Sequence, residues 1–186
     1  MTPLPPVVCV IGKKKSGKTT TVVGLVAELA ARGRRVMTLK HGHGFRLDTE
    51  GTDSWRHVHE GGAERVVMAG PEGVGVVGGW GPSGEPSLEE LVARYVADAD
   101  VVVAEGFKDS SAPRIEVYRR AVHEAPWLDP TAPPDPRYVA VLTDVPGLAA
   151  PVPVLDVDHP DRFVRLADLV EARFEAALGR APGGPS

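Results

Sequence analysis

The chain has 186 residues, a formal net charge of −4, 42% hydrophobic content and one cysteine. Those values fit one globular domain with a sizeable core and exclude disorder for most of its length. The acidic balance argues against a general nucleic-acid binder, and a lone Cys9 permits no disulfide within one chain. No apolar stretch approaches bilayer length, and the start, Met-Thr-Pro-Leu-Pro-Pro6, is not a signal peptide. A cytoplasmic protein is expected, with neither a membrane nor a nucleic acid as partner.

The first apolar run, Val7 to Ile11, reads as a strand. It leads into Gly12-Lys-Lys-Lys-Ser-Gly-Lys-Thr19 and then a helix from about Gly17 to Arg32, with Gly33 at its C′ position. Arg35 to Lys40 is a second strand. Ser54 to Glu60 is a short helix stopped by Gly61 and Gly62. Arg65 to Ala69 and Val74 to Trp80 form a hairpin. Ser87-Leu-Glu-Glu90 is a capping box, followed by a face of Leu88, Leu91, Val92, Tyr95 and Val96. Val101 to Ala104 is wholly apolar, as a covered parallel strand requires. Ile115 to Tyr118 and Tyr138 to Leu142 are further strands, separated by a loop whose residues 125–136 include five prolines. Val152 to Leu155 is the last strand. Asp161 to Leu178 is the last helix, burying Phe163, Leu166, Val170 and Phe174. Residues 181–186 are expected to be a disordered tail. The reading is a single domain over residues 1–180, an α/β three-layer fold with a mainly parallel sheet flanked by helices.

Strand, glycine loop and helix make a P-loop context. Gly12 and Gly17 let Lys13, Lys14, Lys15 and Ser16 wrap a phosphate chain with backbone N–H groups, and the helix start at Lys18, Thr19 and Thr20 adds a positive dipole end. Lys18 reaches terminal phosphates, and the Thr19 hydroxyl suits Mg²⁺. Ligands of such sheets sit at the carboxyl ends of the strands. Glu105 ends the central apolar strand there and is the expected acidic partner for Mg²⁺; Asp100 starts that strand and faces the opposite edge. His41 and His43 alternate after the second strand. They suit a metal, an anionic ligand or loop stabilisation, and the residues leave these open. Asp48 and Asp53 are candidates for positioning an attacking water, with helix capping as the alternative for Asp53. Lys108 and Arg114 form a candidate site for a second anion, or a merely basic loop. Asp144 follows a strand and is a candidate reader of a guanine base.

In this order the P-loop, Leu39-Lys-His-Gly-His43, Asp48, Gly51-Thr-Asp-Ser54, Gly62-Ala63, Val103-Ala-Glu-Gly-Phe-Lys108 and Ile115-Glu-Val117 resemble the MobB family, the molybdopterin-guanine dinucleotide biosynthesis adaptor proteins. The resemblance covers about Pro6 to Asp144. It implies a P-loop NTPase fold, a homodimer, GTP and Mg²⁺ as ligands, and weak GTP hydrolysis. It also implies assistance to the molybdopterin guanylyltransferase, dealings with other molybdenum cofactor proteins, and molybdopterin as a second ligand. On this resemblance Gly12 to Thr19 hold GTP phosphates, Glu105 belongs to the Mg²⁺ region, and His41, His43, Asp48 and Asp53 belong to a signature loop. Two positions depart from the family pattern: Gly44 stands where histidine is common, and Thr52 where lysine is common. The rival class is a P-loop small-molecule kinase, which needs an acceptor pocket and a lid; Arg114 and Arg119 keep that option open.

Overall fold

The structure is a computed structural model that describes residues 3–42, 44 and 47–179. His43 and residues 181–186 lie outside the described residues. In chain order the elements begin with β1 (Val7–Ile11), α1 (Lys18–Ala31), β2 (Val36–Lys40), α2 (Asp53–His59), β3 (Arg65–Gly70), β4 (Gly73–Gly78) and α3 (Leu88–Tyr95). They continue with β5 (Val101–Glu105), β6 (Arg114–Tyr118), β7 (Tyr138–Thr143), β8 (Val154–Asp156), α4 (Arg162–Arg173) and α5 (Glu175–Leu178). The chain divides into two compact units, Met1–His41 with Leu91–Ser186, and Gly42–Glu90.

The first unit is built on a six-stranded sheet in the order β2-β5-β1-β6-β7-β8. Every neighbouring pair is parallel. Parallel strands are covered on both faces, which explains the unbroken apolar run Val101 to Ala104, each residue fully buried. One face packs Val8, Val10, Val103, Ile115 and Leu142 against Leu25 and Leu29 of α1 and Leu166 and Val170 of α4. On the other face, Tyr118 and Val141 meet Leu128 from the proline-rich loop.

The helix α1 ends as its sequence dictates. The N–H of Arg34 reaches the carbonyl of Leu29 at 3.1 Å, and that of Gly33 reaches Ala30 at 2.9 Å, a Schellman closure. Gly24 lies in mid-helix because a Cβ there would meet the Phe163 ring of α4 at 2.3 Å. At the far end of α1, Arg32 binds Glu28, Asp168 and Glu171, while the buried Arg34 donates to Glu171 at 2.9 Å and to the Leu178 carbonyl at 3.1 Å. At the amino edge of the sheet, Asp100 accepts the backbone N–H of Arg35 at 2.8 Å.

Three sequence expectations are corrected. The last helix is not continuous: it breaks at Phe174, whose φ is −114° and whose N–H is shared between the carbonyls of Val170 and Glu171. The Phe174 ring packs against the core at that point. The last strand begins at Val154, not Val152, because Pro153 has no N–H for the ladder and serves it only as acceptor, from Val141 at 2.9 Å. Tyr95 is 37% exposed, whereas Leu88, Leu91, Val92 and Val96 are buried. A tyrosine at a helix end keeps its phenol in water.

The second unit holds α2 and an antiparallel hairpin of β3 and β4, registered from Arg65 opposite Gly78 to Gly70 opposite Gly73. At its end the capping box forms as expected. Ser87 N–H donates to Glu90 at 2.8 Å, and Glu90 N–H donates to the Ser87 hydroxyl at 3.2 Å.

Candidate functional site

The loop after β1 turns at Gly12, with φ +144°, where a Cβ would stand 2.4 Å from the Val117 carbonyl. No side chain fits there, and no other residue type adopts that conformation without strain. Gly17 also has a positive φ, +104°, and is the N-cap of α1, with no side chain to satisfy the helix's first N–H groups. Those groups are left for a ligand, which is the basis of anion binding at such termini. Ser16 is fully buried and its hydroxyl has no hydrogen-bond partner in the protein. Lys14 and Lys15 are exposed. Lys13 lies over the Trp127 ring, 5.5 Å from its centroid.

Lys18 folds back to donate to the Lys13 carbonyl at 2.9 Å. Burial lowers the pKa of its ammonium, a shift partly opposed by Glu105 and reinforced by Lys40. Thr19, one residue on, donates its hydroxyl to both oxygens of Glu105, at 3.0 and 3.2 Å. The sheet sets this spacing: Glu105 closes β5 in register with Val10 of β1 and Lys40 of β2. Lys40 approaches Glu105 at 3.3 Å.

These donors fit Mg²⁺. They are hard oxygens, one hydroxyl and one carboxylate, on the phosphate side of the loop, and Mg²⁺ takes few protein ligands beside phosphate and water. Among the described residues no group of three or more His, Cys, Asp or Glu side chains is gathered as a metal site.

His41, Asp144 and Arg119 lie at the same carboxyl edge, whereas Arg114, expected at the same sheet end as Lys108, opens β6 at its amino end, in register with Cys9 of β1 and Tyr138 of β7. His41 is pinned by its N–H to the Glu105 carbonyl at 2.9 Å, and its ring tilts against Phe107 at 5.1 Å. Asp144 follows β7 and accepts the backbone N–H of Arg120 at 3.1 Å. Arg119, which follows β6, stands 3.8 Å from Asp144 and 3.4 Å from Asp158. Arg114 is buried and spends its guanidinium on the carbonyls of Lys108, at 2.9 Å, and Ser110. Of the expected anion pair, Lys108 is the cation that faces solvent.

Asp48 and Asp53 lie in the second unit and do local work there. Partial desolvation pushes the Asp48 carboxyl up. The Thr49 N–H and the Thr52 and Ser54 hydroxyls, at 2.8, 2.9 and 3.0 Å, outweigh it and hold the pKa below the usual range. The N-cap of α2 is Thr52, whose hydroxyl accepts from Trp55 N–H, so Asp53 is the first helical residue and accepts from the Ser54 N–H at 2.8 Å.

Sequence reasoning assigned no role to Lys40, Trp127 or Glu116. Lys40 was findable from strand register, since it ends β2 beside the end of β5. Glu116 is buried mid-strand. Burial raises its pKa despite the N–H groups of Trp127 and Leu128, at 2.6 and 2.9 Å, that its carboxylate accepts. It fastens the proline-rich loop to β6, and no local signal in that loop announces this long-range partner.

Comparison with known proteins agrees with this arrangement. Residues 7–144 match the family model described as molybdopterin guanine dinucleotide synthesis protein B, MobB. A molybdopterin-guanine dinucleotide biosynthesis adapter protein of Haemophilus influenzae is 32% identical over 169 residues, covering 89% of this chain and 88% of the relative. Its namesake in Escherichia coli is 30% identical, covering 83% and 85%. Among solved structures, Bacillus subtilis MobB superposes with a TM-score of 0.66 at 24% identity, covering 90% of this chain and 97% of that one. A MobB homologue of Bacillus stearothermophilus gives 0.63 at 22%, covering 89% and 98%. The P-loop, the parallel sheet and these likenesses converge: the chain belongs to the MobB family.

Proposed function

We propose that this protein is a GTP-binding accessory protein of molybdenum cofactor biosynthesis, assisting the conversion of molybdopterin to molybdopterin guanine dinucleotide and hydrolysing GTP slowly with Mg²⁺. The observation that carries the nucleotide half is the bond from Thr19 to Glu105 at the mouth of a glycine-turned loop. The adapter half rests on family membership, which favours it over the kinase reading.

In this reading the N–H groups from Gly12 to Thr20 surround the phosphates. Lys18 exchanges the Lys13 carbonyl for a phosphate oxygen. Thr19 and Glu105 would hold Mg²⁺, which would supply charge neutralisation for the phosphates. Asp144 reads the base. His41, His43, Lys108 and Arg114 serve the second ligand, molybdopterin, with Arg114 acting by shaping the loop that carries Lys108. Asp48 and Asp53 position the attacking water. The working form is a cytoplasmic homodimer that meets the guanylyltransferase and other proteins of the pathway.

Calorimetric titration of GTP into the wild type and Lys18→Ala tests the reading. The variant is expected to fold and to lose about 1.5–3 kcal/mol, tenfold or more in affinity. Unchanged affinity in a folded variant removes the P-loop from the mechanism. A companion assay follows dinucleotide formation by the guanylyltransferase with and without this protein, and no effect of the protein overturns the adapter half.

A further inference from the structure

Beyond the phosphate site, the three strand ends on its other side carry one more device. Arg119 directly follows β6, Asp144 follows β7, and Asp158 lies two residues past β8. The Asp144 carboxylate is oriented on one side by the Arg120 N–H, which reaches Oδ1 at 3.1 Å. Its other oxygen, Oδ2, faces Arg119 Nη1 at 3.8 Å, while Nη2 reaches Asp158 at 3.4 Å. The same guanidinium borders the P-loop, since its Nε would stand 3.8 Å from a Cβ at Gly17. Asp144 also lines a cavity of about 390 Å³, together with Thr143, Leu148, Asp156 and Arg165.

Two physical facts decide what this arrangement does. The first is that Arg119 is loosely held. Its contacts are long and shared between two carboxylates, and its side chain is 31% exposed, against 7% for Arg34, which is locked at 2.9 Å. Exposed, long ion pairs contribute little and are readily exchanged. The second is chemical. The N1–C2–N2 edge of guanine is itself a guanidine, with two parallel N–H donors in the same fork that arginine offers a carboxylate. Adenine has no such donor pair on that edge.

We propose that Arg119 is a stand-in for guanine: in the nucleotide-free protein it occupies the outward oxygen of Asp144, and the guanine edge displaces it on binding. This rests on the GTP reading above. It assigns Arg119 a part in base selection that the P-loop does not supply. The displaced guanidinium stays paired with Asp158, so no charge is stranded.

The test measures affinities for GTP, ATP and xanthosine triphosphate in wild type, Arg119→Ala and Asp144→Asn, with thermal melts of each. Removing the competitor is expected to tighten GTP binding about two- to fivefold and leave ATP unchanged. Asp144→Asn is expected to weaken GTP about tenfold and to tighten xanthosine triphosphate, because the amide donates to the C2 carbonyl of xanthine. A gain for xanthine cannot come from misfolding. If wild type binds no GTP, the functional reading fails and takes the inference with it. If wild type binds GTP but Arg119→Ala weakens it or shifts GTP and ATP alike, only the stand-in is overturned; if Asp144→Asn keeps GTP selectivity, the stand-in falls together with base reading by Asp144, while GTP binding at the P-loop stands.

Discussion

Glu105→Gln separates the proposed metal role of this carboxylate from any role in the fold, because the two predict different signs. Glu105 is 9% exposed, accepts the Thr19 hydroxyl at 3.0 Å, and pairs with Lys40 at 3.3 Å, whose side chain is 54% exposed. Glutamine keeps the size and an oxygen to accept from Thr19. What is lost in the fold is one half-exposed ion pair, worth about 0–1 kcal/mol. The melting temperature is therefore expected to move by no more than about 4 °C. With nucleotide and Mg²⁺ the change removes a negative charge from the side of a divalent cation, a loss of about 1.5–3 kcal/mol, or roughly 10- to 150-fold in affinity. Without Mg²⁺ the same change removes a repulsion from the phosphates, so affinity is expected to hold or rise. Calorimetry of GTP in Mg²⁺ and in EDTA reads both arms. Equal weakening in the two, or a melt lowered by 10 °C or more, refutes the reasoning.

Glu171→Ala leaves the buried Arg34 without its carboxylate and is expected to cost about 3–5 kcal/mol in denaturant unfolding. The double variant Arg34→Met/Glu171→Leu is expected to recover most of that loss. Desolvation raises the Glu171 pKa, but hydrogen bonds from Arg32 and Arg34 take it below its ordinary 4.5. Its contribution is thus full above about pH 4.5 and lost as pH falls through the lower folded value, so wild type and Glu171→Gln are expected to converge in an acid melt series. Gly24→Ala forces a methyl group against the Phe163 ring and is expected to destabilise by about 1–3 kcal/mol, although alanine is the better helix former. Pairing it with Phe163→Leu is expected to restore stability in the same melts.

The parallel sheet and the phosphate loop were legible because both are written locally. Val7 to Ile11 and Val101 to Ala104 are continuous apolar runs, and the loop's glycines sit at fixed spacing between a strand and an amphipathic helix. Glu105 was legible for a related reason, since a carboxylate closing a central strand has one place to go in a parallel sheet. The break at Phe174 was not legible, because a ring turned into the core overrides a helical pattern that the preceding residues satisfy. Arg114 reads as a free cation in sequence, and only folding reveals two carbonyls within its reach. Lys13 on Trp127 and Glu116 under the proline-rich loop join distant segments, and pattern reading carries no information about such pairs.

The family match ends at residue 144, and every chemical motif lies inside it. The folding unit does not end there. Leu155 of β8 and Leu166 and Val170 of α4 close the core that contains Leu25 and Leu29 of α1, and Phe163 occupies the hollow left by Gly24. The helix proposed to present its first N–H groups to phosphate is therefore roofed by residues that carry no motif at all. A fragment cut after Asp144 would keep the whole chemical vocabulary and strip the apolar cover from the helix that uses it. In this chain the boundary of the signature and the boundary of what must fold for the signature to act are different places, and the second is set by a helix that carries no motif.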